Sequence, residues 1–196
     1  SGINDWGLPH HVGRRGSPCV GLEQSANGAK LAGVRGVEIE VAFFGVDIAR
    51  ELKQRGRQAD LVLGNNVLVQ VPDVNSFVAG VLVVLKPQGT ATFEFPHLMR
   101  LFEGNQFDTI YHEHFSYFSL ITVEAIFARH GMTVFDVEEL WTHGGSIRIY
   151  VRPTADGTRP ISERLLALRE REKQAGYEQL EVYTKFGEQV AETKRK

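Results

Sequence analysis

The sequence predicts an α/β fold in three layers, with a mostly parallel sheet closed by one antiparallel strand at its end. Three observations predict it. Strand-like and helix-like stretches alternate from Ser17 to Val151, the order that right-handed crossovers build into a layered sheet. The run Ala59-Asp60-Leu61-Val62-Leu63 is almost uniformly apolar, as expected of a strand covered on both faces. Met132–Val137 and Ser146–Val151 read as strands with only a short connection between them, so they should be antiparallel neighbours.

Composition sets the bounds. A chain of 196 residues with 42% hydrophobic residues can bury one good-sized core. The formal net charge of -2 gives neither a nucleic-acid footprint nor a footprint for an anionic membrane. Cys19 is the sole cysteine, which excludes an internal disulfide and a cysteine-rich zinc module within the chain, and a reducing cytoplasm is the expected setting. The longest apolar run, Phe77 to Leu85 with Gly80 inside it, is too short to span a bilayer. The N-terminus shows no signal-peptide plan.

Taken in order, Ser1 to Gly7 form a polar, glycine-containing turn and His10 to Arg15 a short helix. Ser17 to Leu22 is a short strand ending at Glu23, and Ser25 offers an N-cap for a small-residue helix through Leu31 and Val34. Val37 to Phe43 alternates apolar and acidic residues, the period of a half-buried strand near a sheet edge. Asp47 to Arg55 is a helix with Ile48 and Leu52 on one face. Gly64-Asn65-Asn66 ends the strand that begins at Ala59. Asp73 caps a helix through Leu85, which Lys86-Pro87-Gln88-Gly89 stops before a strand from Thr90 to Phe95.

The interval from Pro96 to Ser119 has no clear periodicity apart from a short helix at Leu98 to Phe102. An excursion of that length inside a compact domain marks function, and its aromatic content argues against disorder. Helical patterning returns at Val123, Ile126 and Phe127 and stops at Gly131. From Ile161 to Lys196 the chain is charged helix with a stripe of Leu165, Leu166, Leu168, Leu180, Tyr183, Phe186 and Val190, broken near Gly176. It is either a helical hairpin packed on the sheet or a connector towards another domain or partner chain.

The stretch Asn105 to Ser119 concentrates the groups that hold or move a proton near neutral pH: Tyr111, His112, Glu113, His114 and Tyr117. His112 and His114 share one side of an extended chain, and Tyr111 and Glu113 share the other. A His-x-His pair can chelate zinc, with His97 or His143 as third ligand and Glu113 behind them, yet no cysteine or spaced carboxylate set supports a metal, so acid–base work is preferred and no metal is expected. His10, His11 and His130 have no such context. Ligands of a doubly wound sheet bind at the carboxyl ends of its strands. That rule selects Glu23, whose carboxylate can accept from ribose hydroxyls, and Asn65 and Asn66, which a turn explains equally well. Asn4, Asp5 and Gly7, with Gly2, have the make-up of a glycine-rich cofactor loop or of a simple turn. Phe43 and Phe44 could flank a purine ring or belong to the core.

Four stretches carry a resemblance: Asn65 to Asp73, Phe93-Glu94-Phe95-Pro96-His97, Gln106 to Tyr117, and Thr142-His143-Gly144-Gly145-Ser146. They resemble the S-adenosylmethionine-dependent C-methyltransferases that alkylate nucleotide-linked keto-sugars, and the likeness covers most of the chain. It implies the Rossmann-like class I methyltransferase fold, with 1–157 as the methyltransferase-like domain and 158–196 as a C-terminal helical extension. It implies S-adenosylmethionine as cofactor, a nucleotide-linked keto-sugar as substrate and a role in sugar biosynthesis. His114 would be the general base that removes a proton beside the ketone, with Tyr111 and Glu113 orienting it or holding the sugar. Glu23 would hold the cofactor ribose, Asn4, Asp5, Gly7, Phe44 and Asn66 would line the cofactor pocket, and Gln70, His97, His112 and His143 would meet the sugar.

The chain departs from that family at three places. Gln70 stands where the family usually has a histidine; an amide hydrogen-bonds a sugar but takes no proton. Trp6 stands where the family favours glycine. The family's cysteine-rich zinc module, first sheet strand and C-terminal domain are expected to be missing from this chain. The neighbours of the first strand are therefore expected to be joined by another segment or chain, or to rearrange locally. A methyltransferase-fold binding or structural domain is the alternative, and a nicotinamide-dependent oxidoreductase is disfavoured because no G-x-G-x-x-G stands in a strand–helix turn.

Overall fold

A computed structural model describes residues 19–23 and 38–195. Six strands and six helices are described: β1 Val20–Glu23, β2 Glu38–Val41, α1 Val46–Gln54, β3 Ala59–Asn65, α2 Val74–Val84, β4 Leu85–Pro96, α3 Leu98–Glu103, α4 Leu120–Arg129, β5 Met132–Leu140, β6 Ser146–Pro153, α5 Glu163–Gln174 and α6 Leu180–Arg195. The expected Ser25 cap and its helix lie outside the described residues. No described helix is long and apolar enough to cross a membrane.

The described strands form two sheets, a parallel pair and a mixed four-stranded sheet. β1 pairs with β2, and β3 with β4, in the order β3-β4-β6-β5. β6 runs antiparallel to both β4 and β5, the expected reversed strand. Among the described residues β2 has β1 alone as neighbour, so its alternating acids Glu38 and Glu40 stand on an edge, where Arg57 and Arg55 meet them. Among the described residues no strand joins β1 to β3, which leaves β3 at the margin of the larger sheet.

That margin corrects one expectation. β3 was expected to be covered on both faces, yet Leu61 is 50% and Leu63 39% exposed. They stand beside Thr90 and Thr92 in the register, on the face opposite the core, whereas Gly64 lies against Phe93. A second correction follows at once. Lys86-Pro87-Gln88-Gly89 does not separate helix from strand: α2 passes directly into β4 at Leu85. Leu85 pairs with Ala59 and Thr90 with Leu61, so the four residues between them bulge out of the ladder and spend their turn chemistry there.

The core lies on the other face. Ala91, Phe93 and Phe95 of β4, Ile147, Ile149 and Val151 of β6, and Val134 and Val137 of β5 pack on Phe77, Val78 and Val81 of α2 and on Leu120, Val123 and Phe127 of α4. Phe93 sits between Phe77 and Phe127, with ring centroids 5.7 and 5.6 Å away. α2 forms because Asp73 accepts from Ser76 N–H at 2.9 Å and its apolar residues recur through Val84. Ser119 caps α4 in the same way through Thr122 N–H, and Gly131 takes a φ of 72° just beyond its end. α1 crosses α2 closely enough that a Cβ on Gly80 would stand 2.8 Å from the Gly45 carbonyl.

The C-terminal stripe forms a hairpin broken at Gly176, where φ is 85°. α5 sinks Leu165 and Leu168 into the main core. α6 rests on α3, where the Phe186 ring stacks on Phe102 at 4.1 Å and Tyr183 and Tyr177 close around it. The hairpin is packed on the domain rather than held away from it.

Candidate functional site

Three turns gather at the carboxyl ends of β3 and β4. After β3, Asn66 adopts a left-handed φ of 55° and donates its N–H to Glu94 O at 2.7 Å. The chain then makes a single turn of 3-10 helix over Leu68–Gln70. Before β6, Thr142–Gly144 makes another, with His143 at a left-handed φ of 53°. Gly144 and Gly145 allow Gln106 and Arg100 to lie against that turn, since a Cβ on either glycine would collide with those side chains.

Glu94 ties these turns together. Its carbonyl holds Asn66, while its buried carboxylate accepts from Thr142 Oγ1 at 3.0 Å and from Arg148 at 2.7 Å. Glu94, Arg148 and Glu138 are register partners across β4, β6 and β5, and Arg148 also reaches Glu138. The signal in the sequence is an acid between two phenylalanines, Phe93-Glu94-Phe95.

The excursion from His97 to Ser119 completes the site. Phe115 N–H and Ser116 N–H both donate to Val69 O, at 2.8 and 3.2 Å, which pins the loop to the turn carrying Gln70. His114 lies between Tyr111 and Tyr117, each ring centroid 5.5 Å from its own. Tyr117 Oη accepts from Tyr111 N–H at 2.8 Å, so the Tyr117 ring is held by the loop's own backbone. His114 Nδ1 is buried without a partner, and Nε2 makes no hydrogen bond among the described residues. Burial pushes the imidazole below its usual 6.5; the Glu113 carboxylate works against this and His143 adds to it. The result is a half-buried histidine kept neutral near pH 7 and committed to no structural bond.

The expected residues divide clearly. His114, Tyr111 and Glu113 share one loop, with Tyr111 and Glu113 exposed at its tip. Gln70 stands on the turn to which the loop is pinned, and its Oε1 is buried without a partner. His143 acts electrostatically on His114, while His112 points to solvent in the same loop. Glu23 is buried at the end of β1, where its carbonyl accepts from Ala42 N–H.

Two residues sit elsewhere. Phe44 packs its ring edge-on to Phe77 at 5.3 Å and belongs to the core, although Phe43 beside it is exposed. His97 is buried with Nε2 2.6 Å from Glu172 Oε1, so a substrate facing the loop does not meet its ring. Asn4, Asp5, Trp6 and Gly7 lie outside the described residues. Among the described residues no group of three or more His, Cys, Asp or Glu side chains is placed to hold a metal ion. Tyr117 stands in the proton-handling stretch but has no expected role of its own, and Glu172 has no signal in its own neighbourhood; only partners remote in the chain reveal Glu172.

Known proteins with the same pattern bear on what this arrangement does. Residues 7–137 match the family model described as a methyltransferase domain, and residues 141–196 match the C-methyltransferase C-terminal domain, which corrects the expectation that this C-terminal domain is missing from the chain. The C-methyltransferase NovU of Streptomyces niveus is 40% identical over 154 residues, which is 78% of this chain and 37% of that protein. The chain thus spans little more than a third of that relative's length. Among solved structures, protein PH0226 from Pyrococcus horikoshii superposes with a TM-score of 0.58 at 19% identity, covering 78% of each chain. The magnesium protoporphyrin IX methyltransferase of Synechocystis, solved with bound SAH, gives a TM-score of 0.58 at 12% identity, covering 76% of this chain and 70% of that one. The chain belongs to the methyltransferase domain family, and its α/β fold is that of the class I methyltransferases.

Proposed function

We propose that this chain carries the reacting centre of an S-adenosylmethionine-dependent C-methyltransferase whose substrate is a nucleotide-linked keto-sugar. The observation that supports it is the state of His114: half-buried, braced by two tyrosines, and with no hydrogen bond committed to the protein. A base that works near neutral pH needs to be unprotonated and unengaged before substrate arrives.

The steps assigned to the chain are few. His114 removes the proton on the carbon beside the sugar ketone, leaving an enolate whose carbon is the nucleophile. S-adenosylmethionine supplies an electrophilic methyl group. Tyr111 and Tyr117 hold the imidazole in place, and Glu113 favours the imidazolium that forms. Gln70, whose buried Oε1 lacks a partner, accepts from a sugar hydroxyl and takes no proton. His112 and His143 border the sugar. Glu23 accepts from the cofactor ribose, and Asn66 turns the backbone beside it, with Asn4, Asp5 and Gly7 completing that pocket. Residues 1–157 form the methyltransferase unit and 158–196 its helical extension, acting in sugar biosynthesis in the cytoplasm.

Replacing His114 by Asn in an active form of the protein tests the assignment. Turnover should fall by about 10²–10⁴-fold, and deuterium uptake from solvent beside the ketone should fall with it. Affinity for S-adenosylmethionine, measured by calorimetry, should stay within about twofold. Unchanged turnover removes His114 from the chemistry. Because burial lowers the imidazole in the free protein, the acid limb of kcat/KM should lie below pH 6.5, activity being lost as pH falls through that lowered value and His114 protonates.

A further inference from the structure

The excursion that bears His114 leaves and re-enters the domain at one narrow neck. His97 pairs with Phe118 there, and Leu98 N–H donates to Phe118 O at 3.0 Å. Beneath the neck lies Glu172 of α5, a fully buried carboxylate. Its Oε1 accepts from His97 Nε2–H at 2.6 Å and from Leu120 N–H at 2.7 Å, and its Oε2 accepts from Ile121 N–H at 2.9 Å. One side chain therefore holds the residue that follows β4 and the two that open α4.

The chemistry of this contact is specific. The first N–H groups of a helix have no partner inside it and carry partial positive charge, so a carboxylate is favoured there. Ser119 already satisfies Thr122 N–H from within the chain, so α4 has a cap of its own. What Glu172 adds is the link to His97 across the neck. Elsewhere the excursion is held at separate points: His97 N–H donates to Gly145 O at 3.0 Å, Arg100 pairs with Glu139 at 2.8 Å, Gln106 Nε2 reaches Gly144 O at 2.9 Å, Asn105 Nδ2 reaches Thr193 Oγ1 at 2.9 Å, and Val69 O takes the two loop amides; none of these joins the two stems.

We propose that Glu172 is a positioning residue for the reaction at His114, closing the neck so that the excursion stays seated on the turn Leu68–Gln70 with its imidazole at the carboxyl edge of the sheet. This rests on the assignment of His114 as the base. The same helices have a second tie that does not touch the neck: Arg169 of α5 grips Glu124 of α4 at 2.6 and 2.9 Å. It supplies the control.

The test compares Glu172→Gln, His97→Leu and Arg169→Ala by hydrogen–deuterium exchange of residues 105–119, and by kcat and KM with S-adenosylmethionine and a nucleotide-linked keto-sugar. A glutamine offers one acceptor and a donor where three N–H groups converge, so exchange across 105–119 should rise about tenfold or more while α2 and β4 stay protected. kcat should fall about 10–100-fold with KM for S-adenosylmethionine within about twofold, since a loosened base costs rate and not cofactor binding. His97→Leu, which unties one stem and leaves the α4 amides capped, should open the same segment; it keeps the test alive if Glu172→Gln fails to fold. Arg169→Ala should leave exchange of 105–119 and kcat unchanged. A folded Glu172→Gln or His97→Leu with unaltered exchange there overturns the proposal, as does equal opening by Arg169→Ala. The exchange measurement does not depend on the chemistry. Opening by Glu172→Gln together with full turnover by His114→Asn would defeat the base assignment and keep the clasp, and the reverse pair would do the opposite.

Discussion

β3 and β4 lie side by side and run parallel, yet they live in different surroundings. β4 has β3 on one side and β6 on the other, and from Ala91 to Phe95 every residue is buried, Glu94 included. β3 has a described neighbour on one side only and turns Leu61 and Leu63 outward. Apolar content makes a strand fit to be buried; its neighbours decide whether it is. The site inherits this contrast, because it hangs its fixed parts on Glu94 and the end of β4 and only the Asn66 turn on β3.

Substitutions should separate the two strands. Phe93→Ala removes a fully buried ring packed between two others and should cost about 3–5 kcal/mol in denaturant unfolding. A loss under about 1 kcal/mol would place β4 on a par with β3. Arg148→Ala leaves the buried Glu94 without its cation and should cost roughly 1–3 kcal/mol, less than a fully buried pair because Arg148 is partly exposed. It should also loosen the Thr142–Gly144 turn, seen as faster amide exchange there. Asp73→Ala strips the cap of α2, the helix that feeds β4, and should cost about 1 kcal/mol. Leu61→Thr on the exposed face of β3 should move stability by no more than about 0.5 kcal/mol; a cost of several times that would mean this face is covered in solution.

The smallest effect concerns the bulge between the two strands. Arg159 reaches the Gln88 and Gly89 carbonyls of β4 and pairs with Asp156, whose carboxyl the Thr158 hydrogen bonds and Arg159 lower to about 2. A carboxyl lowered on folding contributes stability that is whole above about pH 4 and is lost as pH falls towards 2. Asp156→Asn should flatten the acid limb of the unfolding curve in that window, and an unchanged limb would detach the bulge from this turn.

Most of the framework was legible because local pattern and tertiary outcome agree. The alternation at Glu38 to Val41, the Asp73 and Ser119 caps, the Gly131 stop and the reversed β6 all follow from neighbours within a few residues. What failed is what depends on distant partners. Leu61 and Leu63 read as core because nothing in their own run says which strand will lie beside them. Lys86 to Gly89 read as a stop because a bulge and a turn use the same residues. In the site, the acid–base cluster of the loop was visible as composition, while the sorting of its histidines was not. His97 and His114 are the same side chain 17 positions apart, and only Glu172, far along the chain, makes one of them structural.

That distance has a consequence for biosynthesis. Glu172 comes 75 residues after His97 and 52 after Leu120. At roughly 5–20 residues per second, a ribosome delivers it about 3–10 s after the helix it must join. A nascent chain can therefore assemble its hydrophobic sheet early and still carry an open neck, and translation must reach α5 before the loop that bears His114 is fastened.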